Sequence, residues 1–389
     1  MKDNIVVVSP GRFGSFDLAE QLQRSGRLAA IYSGYPRFKL RNTGVLPQYI
    51  HTFPWIQTPY QALWRIGGVP RSILRELAWQ SVKWIDAYAA HTLPECGLVS
   101  ALSSVGLKTG TEIKRRGGVY VCDRGSTHIL WQKRILDQEY DTVGLPWDGV
   151  DHRFLKRELA EYALADGITL GSRFSLRTFI EEGVSPKKLY LANHGVNLSI
   201  YHRTAERAPN FRVLFAGLPI VRKGVHHLLQ AFRKASLPGA ELVFVGPTSP
   251  ERDFLLQRYP TDNVVIRGFL SREELVEEMS RASVLVLPSI EDGFGLVIVQ
   301  ALACGCPVIA SRNTGAEDIY EDGKEGFIIP PRDVDALADR LTQLYRDSAL
   351  LESMSEAALN CVEKLGGWDS YGRVIQGIFD ELLAANRAN

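Results

Sequence analysis

Two short runs in the second half of this 389-residue chain put chemistry-bearing side chains where a strand turns into a helix. The apolar run 211–216 ends in Gly217, and Arg222, Lys223 and Gly224 then open a helical stretch from Val225 to Lys234. Unpaired N–H groups and the helix dipole add there to two side-chain cations, so the turn is suited to an anion. The run 283–287 ends in Pro288 and Ser289, followed by Glu291, Asp292, Gly293, Phe294, Gly295 and Leu296. Glycines at such a turn let a backbone come close to a ligand. Asp292 can accept hydrogen bonds from ligand hydroxyls. Gln300, eight residues later, lies two turns deeper on the same helical face, so a carboxylate and an amide can grip one ligand at two points.

The first half offers weaker patterns. Gly11 and Gly14 follow the run 5–8, but no Gly-x-Gly-x-x-Gly fingerprint is present, and no acid closes the next run at Ile31 and Tyr32. That counts against a nicotinamide dinucleotide site. Asp123, Arg124 and His128 follow the run 119–122, where a strand end would present them to a cleft, and Ser172 and Arg173 follow the run 168–170. Between Tyr35 and Tyr88 stand Trp55, Trp64, Trp79 and Trp84. The stretch 71–89 reads as a helix burying Ile73, Leu74, Leu77, Val82 and Ile85, with Arg71, Arg75, Trp79 and Lys83 recurring every four residues. Cations beside tryptophans suit an anionic membrane interface or a phosphate-bearing lipid. Asp333 and Asp335 imitate a metal-binding Asp-x-Asp pair. They follow Pro330 and Pro331 and open a helical pattern, so Asp333 is expected to be an N-cap.

The elements that must position these residues alternate short β-branched runs with amphipathic helical stretches. Further runs at 28–32, 98–102, 242–245, 264–266, 307–310 and 327–329 complete the series. Such alternation implies parallel sheets covered on both faces. The polar stretch 197–210 precedes a fresh strand and divides the chain into residues 1–200, 201–365 and a C-terminal helix, 366–389. In that tail Trp368 and Tyr371 are expected to pack back on the first domain. A Ser271 to Glu274 spacing marks a capping box. Net charge is +1, but it is divided: residues 1–134 carry 18 Lys and Arg against 8 Asp and Glu, a net of +10, and the remainder carries 27 against 36, a net of −9. Nine of the basic residues lie between Gln21 and Trp84, beside a single acid, Glu76. That field attracts phosphates or an anionic surface, while no nucleic-acid-binding motif accompanies it. The start reads as a strand, not a signal peptide, and no run of eighteen apolar residues spans a membrane. Five cysteines without metal-ligand spacing fit reduced thiols. The expected setting is cytoplasmic, on the inner face of a membrane.

The series 287–289, 292–296 and 301–310 resembles the signature of glycosyltransferase family 4, the retaining group 1 enzymes. Asp292 and Gln300 stand where that signature carries two glutamates. Gly217 with Lys223 and Gly224 resembles the family's phosphate turn, and Leu218 replaces its Arg, leaving Arg222 to supply a charge. The stretch Asn193 to Asn197 resembles the turn that ends the family's first domain, and Gly14 its first glycine-rich loop. The resemblance implies a GT-B fold, in which two facing doubly wound Rossmann-like domains enclose a cleft, the first binding the acceptor and the second the donor. It also implies transfer of a hexose from a UDP-, GDP- or ADP-linked sugar to a glycan or lipid-linked acceptor. No cofactor or metal is expected, since leaving-group charge would fall on Lys223, Arg222 and helix N-termini. The implied roles are catalytic for Asp292, His128 and Lys223, and donor-binding for Gly14, Arg222, Lys223, Asp292, Gly293, Phe294, Gly295, Leu296 and Gln300. Arg267, Gly268, Phe269 and Leu270 would frame the base. Arg71, Arg75, Trp79, Lys83 and Arg124 would form the acceptor or membrane side. Two rivals share the architecture, a nucleotide-sugar epimerase and a non-catalytic sugar-nucleotide binder.

Overall fold

The computed structural model describes residues 3–12, 14–66 and 68–388. Two wholly parallel sheets dominate it. The first has seven strands: β1 (Ile5–Ser9), β2 (Leu28–Ser33), β3 (Ile50–Thr52), β4 (Leu98–Leu102), β5 (Val119–Arg124), β6 (Gly167–Leu170) and β7 (Leu189–Leu191), in the order β3-β2-β1-β4-β5-β6-β7. The second has six: β8 (Arg212–Ala216), β9 (Glu241–Val245), β10 (Val264–Gly268), β11 (Val284–Leu287), β12 (Val308–Ser311) and β13 (Gly326–Ile329), in the order β10-β9-β8-β11-β12-β13. Strands such as β11, Val-Leu-Val-Leu, are apolar at every position because helices cover both faces. The edge strands β3 and β7 have no counterpart among the sequence runs. Each has only three residues, too short for a period to register.

Local signals set the helix ends. Ser271 and Glu274 form the expected capping box, and Asp333 caps its helix by accepting from Ala336 N at 2.8 Å. In the first domain, apolar clusters lie on both faces of the sheet. The C-terminal helix Gly367–Ala388 returns to one of them, burying Tyr371, Ile375, Phe379 and Leu383. The helix Ile129–Val143 does the reverse. It follows β5 in the first domain, yet Leu136, Tyr140 and Val143 belong to the core of the second. Each buried Leu or Val is worth about 1.5–3 kcal/mol relative to exposure, so this helix is a substantial tie between the domains. The two crossed elements fix how the carboxyl ends of the sheets face each other.

Candidate active site at the facing strand ends

In open parallel sheets, ligands bind outside the carboxyl ends of the strands where the strand order reverses. Here the reversals fall between β1 and β4, and between β8 and β11. The loop after β1 leads to Gly14, which caps the helix Ser15–Arg24. A Cβ on Gly14 would lie 3.3 Å from the Trp368 ring and 3.9 Å from His194 Nδ1. The C-terminal helix thus lines this loop.

Opposite, the turns after β8 and β11 are interlocked. Gly224 takes φ +70°, and a Cβ there would meet Pro288 O at 1.9 Å, so only glycine lets the two turns touch. Lys223 Nζ forms an ion pair with Asp292 across this contact. Gly295 takes φ +79° at the N-terminus of the helix Leu296–Ala303. Gln300 is half-buried on that helix and makes no side-chain hydrogen bond among the described residues. Leu296 is exposed at the helix start, and Phe294 is buried edge-on to His194 at 5.3 Å. Farther along the rim, Gly246 N donates to Gly268 O at 2.8 Å, and Gly217 N to Val245 O at 2.9 Å. Arg267 pairs with Glu278 at 3.2 Å, Leu270 packs on the core, and Phe269 is 85% exposed. An exposed aromatic ring beside stacked backbone turns is suited to a flat base.

Two assignments for the second domain change on inspection. Gly293 does not open space for a ligand: a Cβ there would meet Gly125 O at 2.3 Å, and its own carbonyl accepts from Ser172 Oγ at 2.5 Å and Ser175 Oγ at 2.9 Å. The glycine is needed for contact between domains. Arg222 is not free to replace the missing phosphate-turn Arg. Its Nε pairs with Glu291 Oε2 at 2.7 Å, and its Nη2 donates to Ser126 Oγ at 3.1 Å.

Glu291 is the residue that the sequence reading passed over. It is fully buried, and its carboxylate also accepts from Ser126 Oγ (2.6 Å), Thr127 Oγ1 (2.8 Å), Thr127 N (3.2 Å) and Gln132 Nε2 (2.9 Å). Burial alone would raise its pKa. Arg222 and these hydrogen bonds override burial and hold it at about 2. A charged group so satisfied ties the β11 turn to the β5 turn. The neighbouring acid Asp292 matched a known pattern and masked this signal. Two further bonds extend the tie along the helix Ile129–Val143. Tyr140 Oη donates to Glu251 at 2.9 Å, and Glu251 Oε2 in turn accepts from Val221 N at 2.7 Å.

His128 and Arg124 do not reach the cleft. His128 is 2% exposed, with its ring between Tyr162 (5.1 Å) and Phe179 (4.9 Å). Its Nδ1 accepts from Leu130 N at 3.3 Å as the N-cap of the helix Ile129–Val143, and burial lowers its pKa to about 4. The imidazole is a structural cap, contrary to the catalytic expectation. Arg124 is buried against Glu158 at 2.7 Å and donates to Thr127 O and Ser103 Oγ, so it is not an acceptor-side surface cation. The sequence does not distinguish a strand-end residue facing the cleft from one facing the covering helices.

The acceptor side is also rearranged. Arg71 and Arg75 lie 3.7 Å from Asp148 and Asp151, and Trp79 is half-buried beneath Arg153 (5.2 Å) and edge-on to Phe154 (5.5 Å). Arg75 and Trp79 of this stripe thus face the protein's own 148–154 segment, while Arg71 stays exposed beside Asp148 and Lys83 is half-buried at the end. The exposed face of the helices Pro54–Ile66 and Arg71–His91 carries Trp55 (77%), Ile66 (78%), Trp84 (50%), Trp64 and Ile73. Ile73 is thus exposed and not in the core. No helix among the described residues is long and apolar enough to cross a membrane.

Residues 203–360 match the family model described as glycosyl transferases group 1. Among curated proteins, the chain is 27% identical over 260 residues to an MMP alpha-(1->4)-mannosyltransferase of Mycolicibacterium hassiacum, covering 65% of this chain and 60% of the relative. It is 30% identical over 175 residues to an alpha-D-kanosaminyltransferase of Streptomyces kanamyceticus, covering 44% and 45%. The chain thus spans about half the length of the curated relatives it matches. Among solved structures, sucrose-phosphate synthase from Thermosynechococcus elongatus superposes with a TM-score of 0.73 at 23% identity, over 99% of this chain and 100% of that one. Anabaena HepE in complex with UDP gives 0.69 at 17%, over 97% and 100%. These likenesses establish a shared two-domain fold, the GT-B arrangement of facing Rossmann-like domains.

Proposed function

We propose, from the match of residues 203–360 to the group 1 glycosyltransferase family model, that this chain transfers a sugar from a nucleoside diphosphate sugar to a glycan or lipid-linked acceptor, retaining the anomeric configuration and using no metal in the transfer. One observation carries the reading. Lys223, paired with Asp292, and Gln300, without a partner among the described residues, lie on the turns and helix at the carboxyl ends of β8 and β11, opposite the Gly14 loop. The likeness of the domain to that family supports a nucleoside diphosphate sugar as the ligand.

In this mechanism the incoming diphosphate competes for the Lys223 ammonium and frees Asp292 to accept hydroxyls of the donor sugar. Gln300 hydrogen-bonds the ribose. The bond from the anomeric carbon to the diphosphate oxygen breaks, and Lys223 with the amides near Gly295 stabilises the charge left on that oxygen. The acceptor oxygen attacks from the face just vacated, and its proton passes to the departing diphosphate. Asp333 gives its carboxylate to its own helix, so the Asp-x-Asp pattern supports no metal step. Synthesis of surface polysaccharide or glycolipid is the setting that fits this chemistry. The exposed tryptophans and isoleucines of the first domain would rest on an anionic membrane bearing the acceptor.

The test incubates the protein with UDP-, GDP- and ADP-sugars and candidate acceptors in EDTA, reading product by NMR. A product with the donor's anomeric configuration is expected. Turnover that requires added Mg²⁺ or Mn²⁺, inverted product, or donor isomerised without acceptor would each refute the reading. Nucleotide binding with no turnover on any acceptor would favour a non-catalytic binder.

A further inference from the structure

Away from the Lys223–Asp292 pair, three ligand-type side chains converge between the domains. Glu139 lies on the helix Ile129–Val143 of the first domain, and His226 and His227 on the first turn of Val225–Ala235 of the second. His226 Nε2 is 2.7 Å and His227 Nε2 2.9 Å from the same atom, Glu139 Oε1. All three potential ligand atoms lie within 4.8 Å of one another. The Glu139 and His226 side chains are 2% exposed and that of His227 14%. The other carboxylate oxygen, Oε2, is held by Arg332 Nε at 2.5 Å, which keeps the carboxylate ionised and leaves Oε1 to the imidazoles. Arg332 sits at φ +66°, a left-handed backbone that non-glycine residues adopt only when surrounding structure enforces it. Both Nδ1 atoms are buried without a partner, so each ring directs its only engaged nitrogen at Glu139.

Two imidazoles on one carboxylate oxygen can be held as neutral N–H donors, since that oxygen has two lone pairs. They also match the demand of a small divalent ion for convergent nitrogen and oxygen donors. At bond lengths of about 2.0–2.1 Å, tetrahedral ligand atoms stand about 3.3 Å apart, so the two carboxylate–imidazole separations need to open by only about half an ångström. We propose that Glu139, His226 and His227, with a water as fourth ligand, bind a divalent transition metal, zinc foremost, which fastens the first domain to the second. Arg332 acts as the outer partner that orients the ligating carboxylate. Because His226 follows Lys223 by three residues, the ion also steadies the helix behind the phosphate turn without taking part in the transfer.

The test strips the full chain with chelator, desalts it and titrates it with Co²⁺, then Zn²⁺. One equivalent of Co²⁺ per chain should bind, with the visible bands of a tetrahedral nitrogen and oxygen site, and one equivalent of Zn²⁺ should displace it. Zn²⁺ should also raise the thermal midpoint. His227→Gln and Glu139→Gln should remove the saturable phase, while His152→Gln, at an exposed histidine elsewhere, should leave it. No stoichiometric binding by the wild type, thiolate charge-transfer bands, or unchanged binding by His227→Gln that is folded by circular dichroism would each overturn the proposal.

Discussion

At the scale of single residues, Gln300 and His128 make opposite predictions. Gln300 has no side-chain partner among the described residues, so its amide is free for ligand. A neutral hydrogen bond is worth about 1 kcal/mol, and Gln300→Ala should weaken nucleotide affinity about fivefold, measured by calorimetry, with the fold intact. His128 should matter to stability and not to turnover. Asn can keep the N-cap but not the ring contacts, so His128→Asn should cost about 1–3 kcal/mol and leave kcat within a few-fold. A loss of kcat of a hundredfold or more in folded protein would restore the catalytic role. The pH dependence has a definite sign. Burial lowers the pKa of His128 and of His194 from 6.5 to about 4. Stability from keeping them neutral is complete above pH 6.5 and is lost as pH falls toward 4. Thermal midpoints between pH 7 and 4 should therefore fall less steeply in His128→Asn than in the wild type.

At the scale of elements, the turns after β5 and β11 and the helix Ile129–Val143 hold the cleft together, and Glu291 is their common partner. Removing one member of a buried ion pair costs about 3–5 kcal/mol. Glu291→Gln leaves Arg222 without its counter-charge and should destabilise by about that much in urea unfolding at pH 7. Its folded pKa is depressed from 4.5 to about 2, so its contribution is complete above pH 4.5 and disappears as pH falls toward 2. The difference between wild type and Glu291→Gln should shrink over that window, and a constant difference would contradict the assignment. This is also the scale at which the sequence reads least well. The fully buried strands, the capping box and the Asp333 cap were legible because each is a local pattern. Strands β3 and β7 were not, being three-residue edges. Nor was the inward direction of His128 and Arg124, nor the domain contact made by Gly293, because all three depend on which element packs above a strand end. Lys223 and Asp292 are legible as neighbours only through the strand order that places β8 beside β11.

At the scale of the whole molecule, charge and apolar surface are separated in a way that composition alone misstates. The first 134 residues carry the positive excess, but Arg71 and Arg75 spend theirs on Asp148 and Asp151. The exposed apolar side chains of this region include Trp55, Trp64, Ile66 and Trp84. Binding to vesicles rich in anionic lipid should therefore fall sharply in a Trp55→Ala, Trp84→Ala double variant and change little in Arg71→Ala, measured by co-sedimentation at about 0.1 M salt, where the Debye length is about 10 Å. Equal losses in both variants would return the contact to the basic stripe.

In the proposed function, the turns after β8 and β11 hold a nucleoside diphosphate through Lys223. Thermal unfolding with UDP, GDP and ADP in EDTA, on the wild type and Lys223→Ala, tests it most directly. A ligand at ten times its Kd adds about 1.4 kcal/mol to stability, a visible rise in midpoint. One nucleotide is expected to raise the wild-type midpoint without metal, and Lys223→Ala to abolish the rise. No rise with any nucleotide, or an equal rise in the variant, would contradict it.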